Sequence, residues 1–149
     1  MRDTFTAGTV AGLIGTLVIL ALQQALFALD IIQMTTMDVA AEIFLEPHQT
    51  GSIAGILVGL ISHFLVGAGG GVLLAYFIRF TGKDYYWLKG LGLGAFMLLV
   101  GMALVTTIMN IMPEMREDSL TTLLHMLTYF IYGLTCSYVL TRYGKFEFA

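Results

Sequence analysis

Two histidines sit inside otherwise apolar stretches of this sequence, His63 in GLISHFLVG and His125 in LLHMLTYF. An imidazole in such a setting can ligate a metal or haem iron, relay a proton, or hydrogen-bond across a helix pair. Ionisable side chains within membrane spans face the bundle interior and are functional candidates by default. Other polar residues gather at a similar depth: Gln23 and Gln24, Thr106 and Asn110, with Tyr129 one turn beyond His125. Thr16, Gln23 and Asp30 share a heptad-spaced face. These residues predict a polar cavity that opens toward one membrane face and is floored by His63. A second cluster follows the first apolar stretch, where Asp38, Glu42 and Glu46 recur at i, i+4, i+8 with His48 just beyond. On one helical stripe such carboxylates would suit a divalent cation; the plainer reading is a solvated face.

Each chemistry makes its own demands. Two histidines on different helices can ligate a b-type haem axially, and Gly59 and Gly67, one turn either side of His63, would leave room for the macrocycle. Their difference in depth counts against this, and a quinone is the other redox candidate. A proton relay normally includes a membrane-embedded Asp or Glu, whereas every acid here falls at the end of an apolar stretch or between two of them. No nucleophile–base pair, zinc-protease motif or phosphate-binding loop is present, so no enzyme is expected. A basic patch suited to nucleic acid is also missing.

The elements that must position these residues follow from composition. Of 149 residues 58% are hydrophobic and 11% charged, with a net charge of −3 and a mean hydropathy of +0.86. A soluble domain carries about 25% charged residues, so much of this surface must face lipid. About 20 apolar residues cross the hydrocarbon core, and four stretches qualify: Ala7–Leu29, Ser52–Ile78, Leu88–Met112 and Leu120–Thr141. The first is longer than a signal-peptide core and lacks a cleavage motif, so it is read as a retained span. Alternating ten-residue segments of a β-barrel do not occur. The fold expected is an all-α bundle of four transmembrane helices forming one domain in the lipid bilayer. With a single cysteine, Cys136, no intrachain disulfide can form.

Small residues set how the spans meet. Gly51, Gly55, Gly59, Gly67 and Gly71 recur at multiples of four, His63 taking the place of one member of the series. Such spacing marks close helix–helix contact in membranes. Gly8 with Gly12 and Gly90 with Gly94 repeat the device, and the last span has the stripe Thr121, His125, Tyr129, Gly133, Ser137, Thr141. The glycine stripe and this last stripe are expected to pack together. Between the first two spans, Thr35 and Asp38 read as a capping box opening a short amphipathic helix that Pro47 closes, lying on the membrane surface.

Charge sets the threading. Arg2, Arg79, Lys83, Lys89, Arg142 and Lys145 all fall on one side, leaving only Arg116 on the other. By the positive-inside rule both termini face the cytoplasm. Tyr76, Phe77, Tyr85, Tyr86, Trp87, Tyr143 and Phe146 form an aromatic belt on that side. Asp30, Asp38, Glu42, Glu46, Glu114, Glu117 and Asp118 make the opposite side acidic.

The segments AGTVAGLIGTLVILAL, TTMD, GLISHFLVGAGGGVLLAYF and KGLGLGAFMLLV resemble the YagU-like proteins, small bacterial inner-membrane proteins of unknown function. The likeness covers roughly the first two thirds of the chain. It implies a bacterial inner membrane and a four-helix fold, without a mechanism. The sequence therefore points to a membrane-embedded binding or accessory subunit, forming a homo-oligomer or docking to a larger membrane complex through its glycine faces. A small transporter or channel using the cavity is the alternative, and a haem- or quinone-linked protein the third.

Overall fold

In a computed structural model the residues described are 3–113 and 118–144. Arg2, Glu114, Arg116, Glu117, Lys145 and Phe146, which contribute to the charge and aromatic patterns, lie outside them. Among the described residues the chain is all helical: α1 (Thr4–Ala28), α2 (Thr36–Glu42), α3 (Pro47–Thr50), α4 (Ile53–Thr81), α5 (Tyr86–Leu98) and α6 (Ser119–Tyr143). The α5 helix continues without a break into a π-helix, Leu99–Ile108. Four segments are long and apolar enough to cross a membrane: α1, α4, α5 with its π-helical continuation, and α6. This is a small multi-pass membrane protein with a four-helix bundle. Side-chain caps start three of the long helices, with Asp3 accepting from the Thr6 N–H, Ser52 from Gly55 and Asp118 from Leu120 and Thr121. Each satisfies an N–H that the first helical turn leaves open.

The helices are not arranged as a symmetric square. α1 runs through the middle, packed along both α4 and α6, and α6 in turn packs along α5. Small residues on two faces of α1 allow this. Gly8 and Gly12 meet α4, and an ideal Cβ on Gly71 would stand 2.6 Å from the Gly12 Cα. On another face Gly15 lies against Tyr132 and Cys136 of α6. Gly133 and Gly94 bring α6 and α5 together, a Cβ on Gly133 falling 2.9 Å from the Gly94 N. The core sits between, with Ala7, Ala11 and Ile19 of α1 against Leu74 and Ile78 of α4 and Tyr132 and Leu140 of α6. The glycine stripe of α4 and the polar stripe of α6 therefore do not face each other as expected. Each packs mainly against a glycine-bearing partner of its own, and α6 reaches α4 through Tyr132, outside its polar stripe.

Gly51 is no part of the α4 stripe either. It ends α3 and has nothing within 4 Å of an added Cβ. Gly55 is close to the carbonyls of Gln49 and Thr50, and Gly59 to the Met37 carbonyl and the Ala41 Cβ. The glycine faces expected to serve self-association are thus covered within one chain at Gly55, Gly59, Gly67, Gly71 and Gly133.

With α1 and α6 as the spine, α4 and α5 touch only sparsely, leaving a cleft between them. The segment joining α1 to α4 folds into the loop-end half of that cleft. The Asp38 carboxylate accepts from the Thr35 N–H at 2.8 Å, its half of the capping box, and also from the Thr35 hydroxyl at 2.8 Å. The helix stops at Glu42, and Pro47 begins the next short helix instead of closing this one. Nor does α2 lie on the membrane surface. Thr36, Val39, Ala40 and Ala41 are buried, and contact with Gly59 places α2 about 9 Å along α4 from its first residue. Val39 joins Met102 and Val105 of the π-helix in a second apolar cluster. The reason is packing: Ala41 closes on Gly59 of α4 and Val39 on Met102 and Val105, and α2 walls a space of about 160 Å³ together with α1, α4, the π-helix and α6.

Candidate functional site

That space lies near mid-bundle. Its walls combine Thr16 of α1, Thr36 and Val39 of α2, His63 and Gly67 of α4, Gly101 of the π-helix, and Tyr129 and Tyr132 of α6. His63 is ten residues into α4, about 15 Å along its axis, and is 8% exposed. Its Nε2 is buried with no hydrogen-bond partner. A buried polar atom left unpaired is costly, typically about 1–3 kcal/mol, and in a native structure it calls for a partner.

The hydroxyls around it are largely committed. The Thr16 hydroxyl donates to the Gly12 carbonyl at 2.8 Å and fills the space a side chain at Gly67 would need. Tyr132 reaches across to donate to the Gly67 carbonyl. Thr36 donates through its hydroxyl to Gln23 at 2.7 Å. Tyr129 makes no hydrogen bond among the described residues, and its hydroxyl lies against Gly101. Among the described residues, the pocket-lining His63 and Tyr129 thus have a ring nitrogen, Nε2, and a hydroxyl with no hydrogen-bond partner. No Asp, Glu, Lys or Arg contributes to its walls.

The residues expected to share one cavity are divided between several places. His63 and Tyr129 line the pocket. His125, 1% exposed, does not: its Nδ1 meets the Thr121 carbonyl at 2.7 Å, with the Met34 backbone and the Asp38 carboxylate in its surroundings. Its Nε2 is also buried without a hydrogen bond. A bis-histidine haem site needs both rings on one cavity, and that arrangement is not formed. Gln23 is fully buried, but as a clamp. Its amide accepts from the Thr36 N–H at 3.0 Å and from the Thr36 hydroxyl, and donates to Thr128 at 3.0 Å. Thr106 turns its hydroxyl back to the Met102 carbonyl. Gln24 and Asn110 are exposed; Gln24 points away from the clamp that its neighbour makes, and Asn110 follows the π-helix with a left-handed backbone, φ 54°.

The proposed cation cluster does not assemble. Asp38 is occupied at the helix cap, and because α2 ends at Glu42, Glu46 (the N-cap of α3) and His48 (within α3) are off its stripe. Among the described residues no three His, Cys, Asp or Glu side chains are placed to hold a metal ion.

Tyr132, Thr36 and Gly101 are pocket residues that sequence reasoning missed. Tyr132 is one position off the polar stripe of α6, and Thr36 is recruited only because α2 enters the cleft. A period-four reading of the last span has no reason to select the former, and no hydropathy pattern selects the latter. Comparison with protein-family models, curated proteins and solved structures found no match to this chain.

Proposed function

We propose that this protein is a membrane-embedded binding subunit whose site is the pocket beneath α2, with His63 as the group that recognises the ligand. The observation that carries this reading is that His63, whose Nε2 is buried without a hydrogen-bond partner among the described residues, lines a space of about 160 Å³. Water takes about 30 Å³ per molecule, so the volume suits a ligand of a few heavy atoms or a handful of ordered waters. It falls below the roughly 300–1,000 Å³ of sites for drug-sized molecules, too small for a haem. Without a charged wall residue, an ionic ligand would lose its hydration with nothing to replace it. The ligand class is therefore a small neutral hydrogen-bonding molecule, held between His63 Nε2 and Tyr129 Oη. No catalysis is proposed.

Supporting the rest of the reading, the basic residues on one side favour cytoplasmic termini, and the resemblance to YagU-like proteins favours a bacterial inner membrane. The test is chemical. Purified protein is denatured and the released small molecules are identified by mass spectrometry. A compound present with wild type and absent with His63→Leu supports binding; identical release from both refutes it.

A second reading, a small transporter, draws on one further observation. α2 supplies Thr36, Val39 and Ala40 to the pocket wall, so withdrawal of α2 would widen the opening toward the loop end. Flux of a small neutral solute into proteoliposomes that is abolished by a disulfide engineered between α2 and α4 would favour this reading.

A further inference from the structure

The other half of the α4–α5 cleft, toward the chain termini, is not filled by any described part of the chain. It forms a groove of about 870 Å³. Its floor is Leu74 and Leu93, both buried, and its walls include Phe77 and Phe96, both about half exposed. The groove runs from Leu73 to Thr81 along α4, a rise of about 12 Å. Half the hydrocarbon core measures about 15 Å, so the groove has the reach of one leaflet.

Its two ends differ. The deep end is wholly apolar, and the mouth carries Lys89 and Asp84. Lys89 donates to the Thr81 carbonyl at 3.1 Å and to the Gly82 carbonyl at 2.8 Å. An ammonium has three donors, so one stays available. Asp84 makes no side-chain hydrogen bond or ion pair among the described residues, with Lys89 or with any other group. The mouth thus presents a cation and a carboxylate that are not joined to each other, above an apolar channel one leaflet long.

We infer that this groove binds a phospholipid whose headgroup carries both a phosphate and a primary ammonium, with an acyl chain along Leu74 and Leu93. The phosphate meets Lys89 and the ammonium donates to Asp84. A quaternary ammonium cannot donate, and a glycerol headgroup carries no positive charge, so the mouth discriminates among lipids as well as binding them. Gly92 lines the channel, and a side chain placed there would extend into open space, since an added Cβ meets nothing within 4 Å.

Native mass spectrometry of the delipidated full chain, titrated with phosphatidylethanolamine, phosphatidylglycerol and phosphatidylcholine of identical acyl chains, tests this. Wild type is expected to retain phosphatidylethanolamine up to about fivefold better than the other two, the scale of one exposed ion pair. Asp84→Asn should bring phosphatidylethanolamine down to the level of phosphatidylglycerol, and Lys89→Gln should weaken all three. Gly92→Leu should lose all three while keeping the thermal stability of wild type. Equal retention of the three lipids, a preference for phosphatidylglycerol, or undiminished binding by Gly92→Leu would overturn the inference. So would a wild-type dimer that Gly92→Leu converts to monomer, since a second copy would then occupy the groove.

Discussion

Gln23 shows what one buried side chain can do in this bundle. Its amide ties α1 to α2 through Thr36 and to α6 through Thr128, so it holds α2 in the cleft above His63. Gln23→Leu would leave the Thr36 N–H buried and unpaired. A loss of about 1–3 kcal/mol of stability is expected, measured by chemical denaturation in detergent, with Gln23→Glu recovering part of it. Unchanged stability in the leucine variant would mean that α2 is held by apolar contact alone. Asp118 acts at a helix end instead. Hydrogen bonds from the Thr121 side chain, and then from the Thr121 and Leu120 backbone, hold its carboxyl below its usual value. A carboxyl lowered on folding stabilises at pH above the unfolded value of about 3.9, and that contribution is lost as pH falls through the folded value. Amide protection at Leu120 and Thr121 should therefore be constant from neutral pH to about pH 5 and fall below about pH 4. Asp118→Asn should remove most of that step; an identical step in the variant would assign it to another group. At this scale the sequence reveals which residues are out of place in an apolar run, Gln23 and His63 among them. It does not reveal their partners, because Thr36 reaches Gln23 only after the intervening loop has folded back.

Elements were legible in proportion to how local their causes are. The Thr35–Asp38 capping box is visible in four residues, and the structure forms it. The end of α2 at Glu42 and the π-helix at Leu99–Ile108 were not visible. Apolar residues satisfy i→i+4 and i→i+5 ladders equally well, so hydropathy cannot choose between them. Glycine spacing is informative about close approach but silent about the partner. Two neighbouring positions separate the cases. A Cβ on Gly71 would stand 2.6 Å from the Gly12 Cα, whereas one on Gly69 meets nothing within 4 Å. Gly71→Ala should destabilise by about 1–3 kcal/mol through separation of α1 from α4. Gly69→Ala should be neutral, or stabilising by up to about 1 kcal/mol from helix propensity. Thermal unfolding of the two variants checks this, and equal effects would show that α1 and α4 do not meet along that face.

Across the whole molecule, four spans could be read from length and hydropathy because lipid imposes both. Their pairing could not, because α1, α4, α5 and α6 all carry small residues and only the three-dimensional order assigns each its neighbour. Threading direction rests on a different physics, the charge of the connections. Arg79, Lys83 and Lys89 surround the α4–α5 turn, and the N–H groups of Lys83 bond the Thr141 and Gly144 carbonyls near the end of α6. The basic turn and the last helix end therefore share one side, so a single labelling experiment reports both. Cys136 is buried against the Ala11 carbonyl, 3.4 Å away, and Cys136→Ala gives a cysteine-free background. In that background Glu46→Cys, at the exposed loop end, should react with a membrane-impermeant maleimide applied to intact spheroplasts. Asp84→Cys should react only after the membrane is opened. The reverse pattern would invert the protein and place the Lys89–Asp84 mouth in the outer leaflet. It would also move the α2 end, and with it access to His63, to the cytoplasmic side.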